Sequence, residues 1–453
     1  MEYPTVSVIV LSFNSLQHME DCFTSLGQLD YPADRVELVL ADNASNDGTV
    51  AYVREHFPGV RILEFEENYG FCGGNNRAAA QSQSEFVAFL NPDMRVEPHW
   101  LSGLMEALGD DSEVVCSASK VLAWDGKALD FAGLLISFLG FGRADGYQES
   151  DLTAYDGLRY ILGPIGGAML IHRQVFLDVG GFDEDFFAYF DDIDLGWRLW
   201  ILGYKVVFAP QSICYHIHYG SWSKQPQAKI HYLYERNALY TIIKNYEEQY
   251  LERVLPLALL LQAKRAYLYG EMNGIEMDKC RFKADTLDRA GPSEQLDPKD
   301  GAAAPAIRYD TRYYLGEAWR TLRADGVTAL VHKIADELDR RRGHPVSRIV
   351  PPELATRQQP FFWIQQAHLA ATNDVIENYT SLLEKREFIQ QNRRSSDEEI
   401  FQSVRALSFD VCFDTPGYRQ TQQRLIELFG IPELFGKIFD PEVPFALRPK
   451  EQR

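Results

Sequence analysis

Three features that define large classes of proteins are missing from this sequence. Its six cysteines include no Cys-x-x-Cys pair, which favours reduced thiols in a cytoplasm over a disulfide framework. The most apolar stretch, residues 254–261, is far too short to span a bilayer. Neither a basic segment nor a long apolar segment precedes the first predicted strand at residue 6. The sequence therefore predicts a cytoplasmic protein without a signal peptide.

Excess positive charge is also missing. The formal net charge is −20 at pH 7, opposite in sign to the basic surface of a general nucleic-acid binder, and we expect no nucleic-acid partner. This charge does not argue against a nucleotide held by local dipoles and a metal ion. A chain of 453 residues with 46% hydrophobic residues can bury a large core, and two domains are expected.

β-branched and apolar runs alternate with helical patterns over the first hundred residues. Strands are predicted at 6–11, 36–40, 61–65 and 86–90, with helical spacing between them. This alternation predicts an α/β domain with a Rossmann-like, mostly parallel sheet flanked by helices. Because ligands bind at the carboxyl ends of parallel strands, the residues that follow each run are the candidate site.

Polar, glycine-rich and acidic residues follow each of these strands. Phe13 could stack on a base or pack in the core, and Asp42 could accept a hydrogen bond from a base or cap the next helix. Asp93 could hold a divalent cation or serve as a turn aspartate. The Gly-rich stretch 68–76 could bring backbone close to a phosphate before an Ala-rich helix near 77–81. Four such strand ends in succession indicate a binding crevice.

An acidic cluster lies between an aromatic run and an apolar run at residues 186–200. Three carboxylates crowd into four positions, so they must start a helix or face a cation because like charges repel. We predict Asp191 at the helix cap and Asp194 paired with Arg198 one turn on. Asp192 is then left to face the crevice as a candidate general base. The alternative is an acidic helix start with no catalytic role.

Two histidines follow a strand-like run that begins at residue 205. His216 and His218 alternate as strand residues do, so only one of them would face the site. Either could be a metal ligand or a structural histidine.

Beyond the crevice, the sequence predicts loops and an insertion over the site at 124–159 and a mainly helical C-terminal region. We place a catalytic domain at 1–245 and the helical region at 246–453, with a polar linker near 278–305. Helical spacing continues at 312–342 and 360–394, and the second of these could form an exposed helix or a homodimer contact. The apolar stretch 254–261, followed by Lys264 and Arg265, could lie at the inner face of the membrane or pack against the core or a second subunit.

Several stretches together resemble family 2 glycosyltransferases of the GT-A fold, in their rhamnosyltransferase-like branch. They occur in the family's order over roughly residues 5–245, and their joint occurrence is specific where each alone is weak. The stretches read VSVIVLSFN at 6–14, DNASNDGT at 42–49, NYGFCGGNN at 68–76, LNPD at 90–93, GGAM at 166–169 and FDDIDLG at 190–196.

The resemblance implies an inverting transferase that uses a nucleotide-diphospho-sugar of the dTDP-rhamnose or UDP-sugar type and Mg²⁺ or Mn²⁺. It implies that Asp93 ends the DxD-type metal motif, with Asn91 in place of its first Asp. It implies that Asp192 is the catalytic base, that Asp191 replaces the usual Glu, and that His216 binds the metal. The acceptor would be a glycan or lipid-linked hydroxyl in polysaccharide biosynthesis. The implied donor-binding residues are Ser12, Phe13, Asn14, Asp42, Gly73, Asn75, Asn76, Asn91 and Asp93.

Two other interpretations remain open at this point. A Rossmann oxidoreductase needs a GxGxxG motif directly after the first strand, and the residues there are Ser12, Phe13 and Asn14. This counts against that class, and a nucleotidyltransferase is the other enzyme alternative. A non-catalytic sugar-nucleotide-binding or scaffold protein would not need Asp93, Asp192 and His216. Hydrolysis of a donor in the presence of metal separates this possibility from the transferase.

Overall fold

A computed structural model describes residues 3–217, 226–272, 360–404, 407–408 and 416–435. His218, the predicted linker near 278–305 and the helical pattern at 312–342 lie outside the described residues. The described strands, in chain order, are β1 Val6–Ser12, β2 Val36–Asp42, β3 Arg61–Glu64, β4 Phe86–Leu90, β5 Met94–Val96, β6 Val114–Ala123, β7 Leu129–Phe131, β8 Leu134–Ser137, β9 Gly142–Ala144, β10 Arg159–Tyr160, β11 Ala168–His172, β12 Lys205–His216 and β13 Leu407–Ser408.

The α-helices follow the strands in the predicted alternation over roughly the first hundred residues and dominate the described part of the chain after residue 226. They are α1 Leu16–Leu26, α2 Thr49–His56, α3 Gly70–Gln81, α4 Trp100–Leu108, α5 Arg173–Asp178, α6 Asp191–Ile201, α7 Gln227–Asn245, α8 Glu248–Met272, α9 Pro360–Glu377, α10 Tyr379–Gln391, α11 Asp397–Ser403, α12 Pro416–Leu428 and α13 Ile431–Phe435.

The main sheet has the strand order β10-β12-β6-β11-β4-β1-β2-β3. The β4-β1-β2-β3 half is parallel, as predicted, and β6 pairs with β12 in parallel. β11 runs antiparallel between β4 and β6, so the sheet as a whole is mixed. A second, three-stranded sheet has the order β13-β8-β9 and includes the hairpin within the predicted insertion at 124–159.

The core surrounds the central strands β1 and β4. Successive residues of β1 such as Val8 and Ile9 are fully buried, so helices cover both faces of the sheet. On α1 the buried residues are Met19, Cys22, Phe23 and Leu26, which share one face of the helix. The α/β fold class with a helical C-terminal region is confirmed.

A cluster of buried charges lies behind helix α6. Asp194 contacts Arg198 Nε at 2.8 Å and Lys244 Nζ at 2.8 Å, so the predicted pair of Asp194 and Arg198 is present. Burial would raise the pKa of Asp194, but Lys244 and Arg198 outweigh it and hold that pKa below its usual value. Asp183 contacts both Lys244 and Lys385 at 2.5 Å. This cluster joins α6, α7 and α10.

The predicted helix at 360–394 is two helices that meet at Asn378. Arg386 of the second, α10, donates to the carbonyl oxygens of Ile243 at 2.9 Å and Tyr246 at 2.5 Å. Trp197 of α6 donates through Nε1 to Asp397 Oδ1 at 3.3 Å. α10 therefore packs on the end of α7 instead of extending into solvent, and the homodimer remains a prediction.

The apolar stretch 254–261 lies within α8, and most of its side chains are buried. Val254, Leu257 and Leu261 have no exposed surface. This stretch therefore packs against the core, which was the second of the two alternatives. Within the part of the chain that the structure describes, no helix is both long enough and apolar enough to cross a membrane.

The chain divides into two compact units. The first contains Met1–Lys264 and Ala367–Arg453, and the second contains Arg265–Gln366. In the second unit, the described residues are the end of α8 and the start of α9. The functional division at residue 245 remains a prediction.

Candidate active site

The carboxyl ends of β1 and β4 open into a cavity of about 620 Å³. The β8–β9 hairpin, residues 165–167 and the segment that leads into α6 complete its wall. Of the predicted site residues, those that line the cavity are Ser12, Phe13, Asn14, Asn91, Asp93 and Asp192.

The loop after β1 is fixed to the loop after β2. Asn14 adopts a left-handed conformation with φ of 55°, and its backbone N donates to Ser45 Oγ at 2.8 Å. Its Oδ1 accepts from the backbone N of Asn46 at 2.8 Å. Phe13 is 49% exposed at the cavity, so the alternative of core packing is wrong for this ring.

Asp42 lies behind the cavity lining and is almost fully buried. Its Oδ2 accepts from the backbone N of Ser45 at 2.9 Å, and its Oδ1 has no hydrogen-bond partner among the described residues. Asp42 does not cap the next helix, because α2 begins at Thr49 with Gly48 as its N-cap. A buried carboxylate oxygen without a partner is costly, which makes Asp42 Oδ1 a candidate acceptor for a ligand.

The Gly-rich stretch is helical, not a loop, because α3 already begins at Gly70. Gly73 permits close packing, since a Cβ there would lie 2.9 Å from Tyr69 Cβ. Nδ2 of Asn76 donates to the carbonyl oxygen of Phe182 at 2.7 Å, and Oδ1 of Asn76 accepts from the backbone N of Phe182 at 2.9 Å. Asn75 is buried with no partner for its Nδ2 among the described residues. Gly73, Asn75 and Asn76 thus lie behind the cavity and do not line it.

Asp93 and His216 meet although 123 positions separate them in the sequence. Nε2 of His216 lies 3.5 Å from Asp93 Oδ2, because β5 and β12 pair next to both residues. Nδ1 of His216 contacts Asp130 Oδ2 at 2.7 Å. The sequence did not reveal Asp130, which lies on the three-residue strand β7 outside any motif.

The two carboxylates determine the charge of His216. Burial alone would lower its pKa, but Asp130 and Asp93 outweigh burial and raise the pKa to about 9. Burial would raise the pKa of Asp93, but the bond to His216 more than compensates and lowers that pKa. The two carboxylates therefore favour the protonated form of His216, and an ion bound at Nε2 would have to take the place of the Nε2 proton.

The Asp93–His216 pair fits a divalent ion in ligand type and spacing. Two ligand atoms each about 2.1 Å from one ion, at an angle of about 110°, lie about 3.5 Å apart, as these two atoms do. Asp130 would orient the imidazole, as a carboxylate behind a metal-binding histidine commonly does. Among the described residues, no cluster of three or more His, Cys, Asp or Glu side chains is arranged around a common metal position. Any ion would therefore need further ligands from the substrate or water.

Asp192 lies at the start of α6 and lines the cavity. Its Oδ2 accepts from the backbone N of Gly166 at 3.3 Å and its Oδ1 from Ile193 N at 2.9 Å. Burial raises the pKa of Asp192 to about 6, although these two hydrogen bonds act to lower it. Burial and the charge of Asp192 raise the pKa of Asp191 well above its usual range. Asp192 is therefore the carboxylate of the pair that ionises near neutral pH.

The predicted cap position of Asp191 is wrong. Phe190 is the N-cap, with φ of 63°, and Asp191 is the first residue of the helix. Phe190 makes no side-chain cap hydrogen bond, and the Asp191 carboxyl group interacts with the backbone N–H groups of Asp191 and Tyr189 from within the helix. The prediction is wrong because Phe190 takes a left-handed conformation, which periodicity in a sequence cannot show.

Residues 7–132 match the family described as glycosyl transferase family 2, and residues 149–267 match glycosyl transferase family group 2. Together the two matches span more than half of the chain. The chain belongs to glycosyltransferase family 2. The predicted family and its rhamnosyltransferase-like branch are confirmed.

This family 2 glycosyltransferase has similar proteins among bacteria and archaea. It is 26% identical over 248 residues to N-acetylglucosaminyl-diphospho-decaprenol L-rhamnosyltransferase of Mycobacterium tuberculosis, covering 49% of this chain and 79% of the relative. It is 29% identical over 234 residues to O-antigen biosynthesis protein RfbC of Myxococcus xanthus, covering 50% of this chain and 18% of the relative. The solved mannosyltransferase of Pyrobaculum calidifontis with GDP-Man and Mn²⁺ matches with a TM-score of 0.41 and 16% identity, over 82% of this chain and 87% of that one.

Several cavity residues of the glycosyltransferase were not predicted from its sequence. Arg143, on β9, and Tyr234, on α7, line the cavity together with Tyr189 and His18. Tyr234 packs edge-on against Tyr189, with ring centroids 5.2 Å apart. Arg143, Tyr234 and His18 come from an insertion and from helices outside the motifs, so only the fold brings them to the cavity, whereas Tyr189 directly precedes the FDDIDLG motif.

Proposed function

We propose that this enzyme transfers a sugar from a nucleotide-diphospho-sugar to a hydroxyl group of a glycan or lipid-linked acceptor, with inversion at the anomeric carbon. The observation that carries the proposal is that Asp192, a half-buried carboxylate with a pKa of about 6, lines the same cavity as Asp93, which contacts His216. A base and a candidate cation site in one cavity supply what a displacement at a diphosphate-bearing carbon needs.

In this reaction Asp192 removes the proton of the acceptor hydroxyl as its oxygen bonds to the anomeric carbon. The bond from that carbon to the diphosphate oxygen breaks on the opposite side, and the electron pair leaves with the nucleoside diphosphate. Asp93 and His216 would hold Mg²⁺ or Mn²⁺, which neutralises negative charge on the leaving diphosphate. Phe13 offers an exposed ring on which a base can stack, and Asp42 Oδ1 offers an acceptor for a base N–H.

A dTDP-rhamnose or UDP-sugar donor is the class that this branch of the family suggests. The relative from Mycobacterium tuberculosis bears the name of a rhamnosyltransferase acting on a lipid-linked, diphosphate-bearing sugar. We propose an acceptor of the same chemistry here, and a place of action at the inner face of the membrane.

Thermal shift with nucleotide sugars tests the donor directly. A ligand at 100 times its Kd stabilises the folded state by about 2.7 kcal/mol, so the correct donor should raise the Tm only when Mn²⁺ or Mg²⁺ is present. Slow hydrolysis of that donor would then distinguish an enzyme from a sugar-nucleotide-binding scaffold. Binding without hydrolysis or transfer, even with added lipid-linked acceptors, would contradict the proposal.

Arg143 supports the diphosphate-bearing acceptor. Its neighbour Gly142 packs directly against Ile193, one residue after Asp192, so Arg143 belongs to the part of the cavity near the base. Among the described residues it forms no ion pair, although carboxylates line the same cavity. A half-buried guanidinium facing a cavity favours an anion, and phosphate suits its forked geometry.

Arg143→Gln should raise the KM for a polyprenyl-diphosphate sugar acceptor by about 10- to 100-fold, the ratio expected for a lost charge-assisted hydrogen bond of about 1.5–3 kcal/mol. Hydrolysis of the donor alone should stay unchanged. Arg61→Gln, which removes an arginine paired with Glu37 on the surface, is the matched control. If Arg143→Gln instead weakens donor hydrolysis, the guanidinium binds the donor diphosphate and not the acceptor.

A further inference from the structure

The segment 187–190, which leads into α6, has an unusual backbone. Phe187, Tyr189 and Phe190 have φ of 63°, 68° and 63°, in the left-handed region that non-glycine residues rarely adopt. Each such residue costs of order 1–3 kcal/mol, so the conformation persists only where surrounding contacts impose it. Because Asp192 lies only two residues after Phe190, whatever holds this segment also sets the position of the proposed base.

Asn237 of α7 holds this segment from behind. Its side chain is fully buried, and Nδ2 donates to the carbonyl oxygens of Tyr189 at 2.7 Å and Ala188 at 2.9 Å. The same nitrogen lies 3.2 Å from the carbonyl oxygen of Phe186. Nε of Arg236 donates to Asn237 Oδ1 at 2.9 Å, which fixes the amide with its nitrogen toward the segment. The two N–H groups of one amide thus contact three carbonyl groups of a strained loop.

The remaining carbonyl groups of the loop are held as well. Nη2 of Arg236 donates to the carbonyl oxygens of Asp185 at 2.7 Å and Phe186 at 3.0 Å. The backbone N of Phe71, at the start of α3, donates to the carbonyl oxygen of Phe187 at 2.8 Å. Every carbonyl group from residue 185 to residue 189 therefore has a partner from another element, which is the condition for maintaining a strained conformation.

We propose that Asn237 is the positioning residue of the catalytic base: it holds residues 186–189 in the conformation that aims Asp192 into the cavity. The inference rests on the proposed function in assigning the base to Asp192. Asn237 does not line the cavity and touches no substrate. Its effect on the reaction would pass through the backbone of the loop alone.

Asn237→Asp is the sharpest test, because the carboxylate keeps the acceptor for Arg236 and loses the donor to the three carbonyl groups. We expect kcat for transfer or donor hydrolysis to fall about 10²-fold, the effect of a misplacement of about 1 Å. Donor Kd, measured by the Mn²⁺-dependent thermal shift, should change less than twofold, since Phe13 and Asp93 lie on other loops. Arg236→Gln, which keeps Asn237, should give a smaller loss of kcat.

Thr241→Val is the matched control. Thr241 is also fully buried on α7, and its hydroxyl donates to the Asn237 carbonyl oxygen at 2.9 Å without touching the loop. This variant should lower the Tm and leave kcat near that of the wild type. A wild-type kcat in folded Asn237→Asp would overturn the positioning role. So would a parallel loss of kcat and donor affinity in both variants, which indicates only general destabilisation.

Hydrogen exchange separates this inference from the proposed function. In Asn237→Asp the amides of residues 186–193 should exchange roughly tenfold faster than in the wild type, and those of β1 and β4 should not change. If the wild-type protein hydrolyses no donor, the proposed function fails, and unchanged exchange of 186–193 would then still refute the positioning role.

Discussion

Asp192→Asn is expected to lower the kcat for sugar transfer by about 10² to 10⁴ while donor binding survives. The asparagine keeps the size of the side chain and can accept from only one of the two backbone N–H groups, of Gly166 or Ile193, that bond to Asp192, and it cannot take the proton of the acceptor hydroxyl. Activity of the wild type should also fall as the pH drops through about 6, because protonation of Asp192 removes the base. A pH–rate profile and the donor-induced Tm shift measure the two effects separately.

The neighbouring aspartates are the controls for this substitution. Asp194→Asn should act mainly through stability, because it breaks a fully buried contact with Lys244 and Arg198. Asp191→Asn should retain more activity than Asp192→Asn, because Asp191 holds its proton to higher pH. If Asp192→Asn transfers sugar at a near wild-type rate and Asp191→Asn does not, the base has been assigned one residue too late.

Asp93→Ala should abolish the Mn²⁺-dependent part of donor binding. An ion at this site would lose the Asp93 carboxylate, and His216 alone would hold such an ion weakly. The measurement is the Tm shift caused by the nucleotide sugar with and without Mn²⁺. Affinity that is unchanged in the presence of Mn²⁺ would remove Asp93 from the metal role.

Two further variants complete the test of Asp93. Asp130→Asn keeps both proposed ligands and loses the carboxylate that orients His216, so metal affinity should fall by about 10- to 100-fold and not vanish. Asp125→Ala removes an exposed carboxylate paired with Lys127 and should change nothing. His216→Ala compared with His218→Ala decides which histidine binds the ion.

The sequence predicted the parts of the site that short-range patterns encode. Buried β-branched runs located β1 and β4, and the polar residues after them line the cavity, because side-chain alternation and strand ends are local properties. Asp130 and Asn237 were not predicted, because each acts through partners distant in the sequence. The left-handed conformation of Phe190 was missed for a different reason: non-glycine residues give no signal for it.

The same distinction explains the error at the Gly-rich stretch. Glycines usually indicate a loop, yet here they permit α3 to pack closely, since a Cβ on Gly74 would lie 2.9 Å from Asn43 Nδ2. Tertiary packing therefore favoured a helix over the local preference of the residues. The helical spacing at 360–394 predicted helices correctly, but it did not show the break at Asn378.

The contacts of α10 and α11 with the region around α6 can form only late in the synthesis of the chain. Lys385 is 202 residues from its partner Asp183, and Asp397 is 200 residues from Trp197. At about 5–20 residues per second, a ribosome takes roughly 10–40 s to add that length of chain. During this interval Asp183 lacks Lys385, and Trp197 of α6 lacks Asp397, so nascent chains arrested before residue 385 should be more sensitive to protease around α6 than chains arrested well past residue 397. The region around α6 therefore gains these contacts only after residues 385–397 have been synthesised.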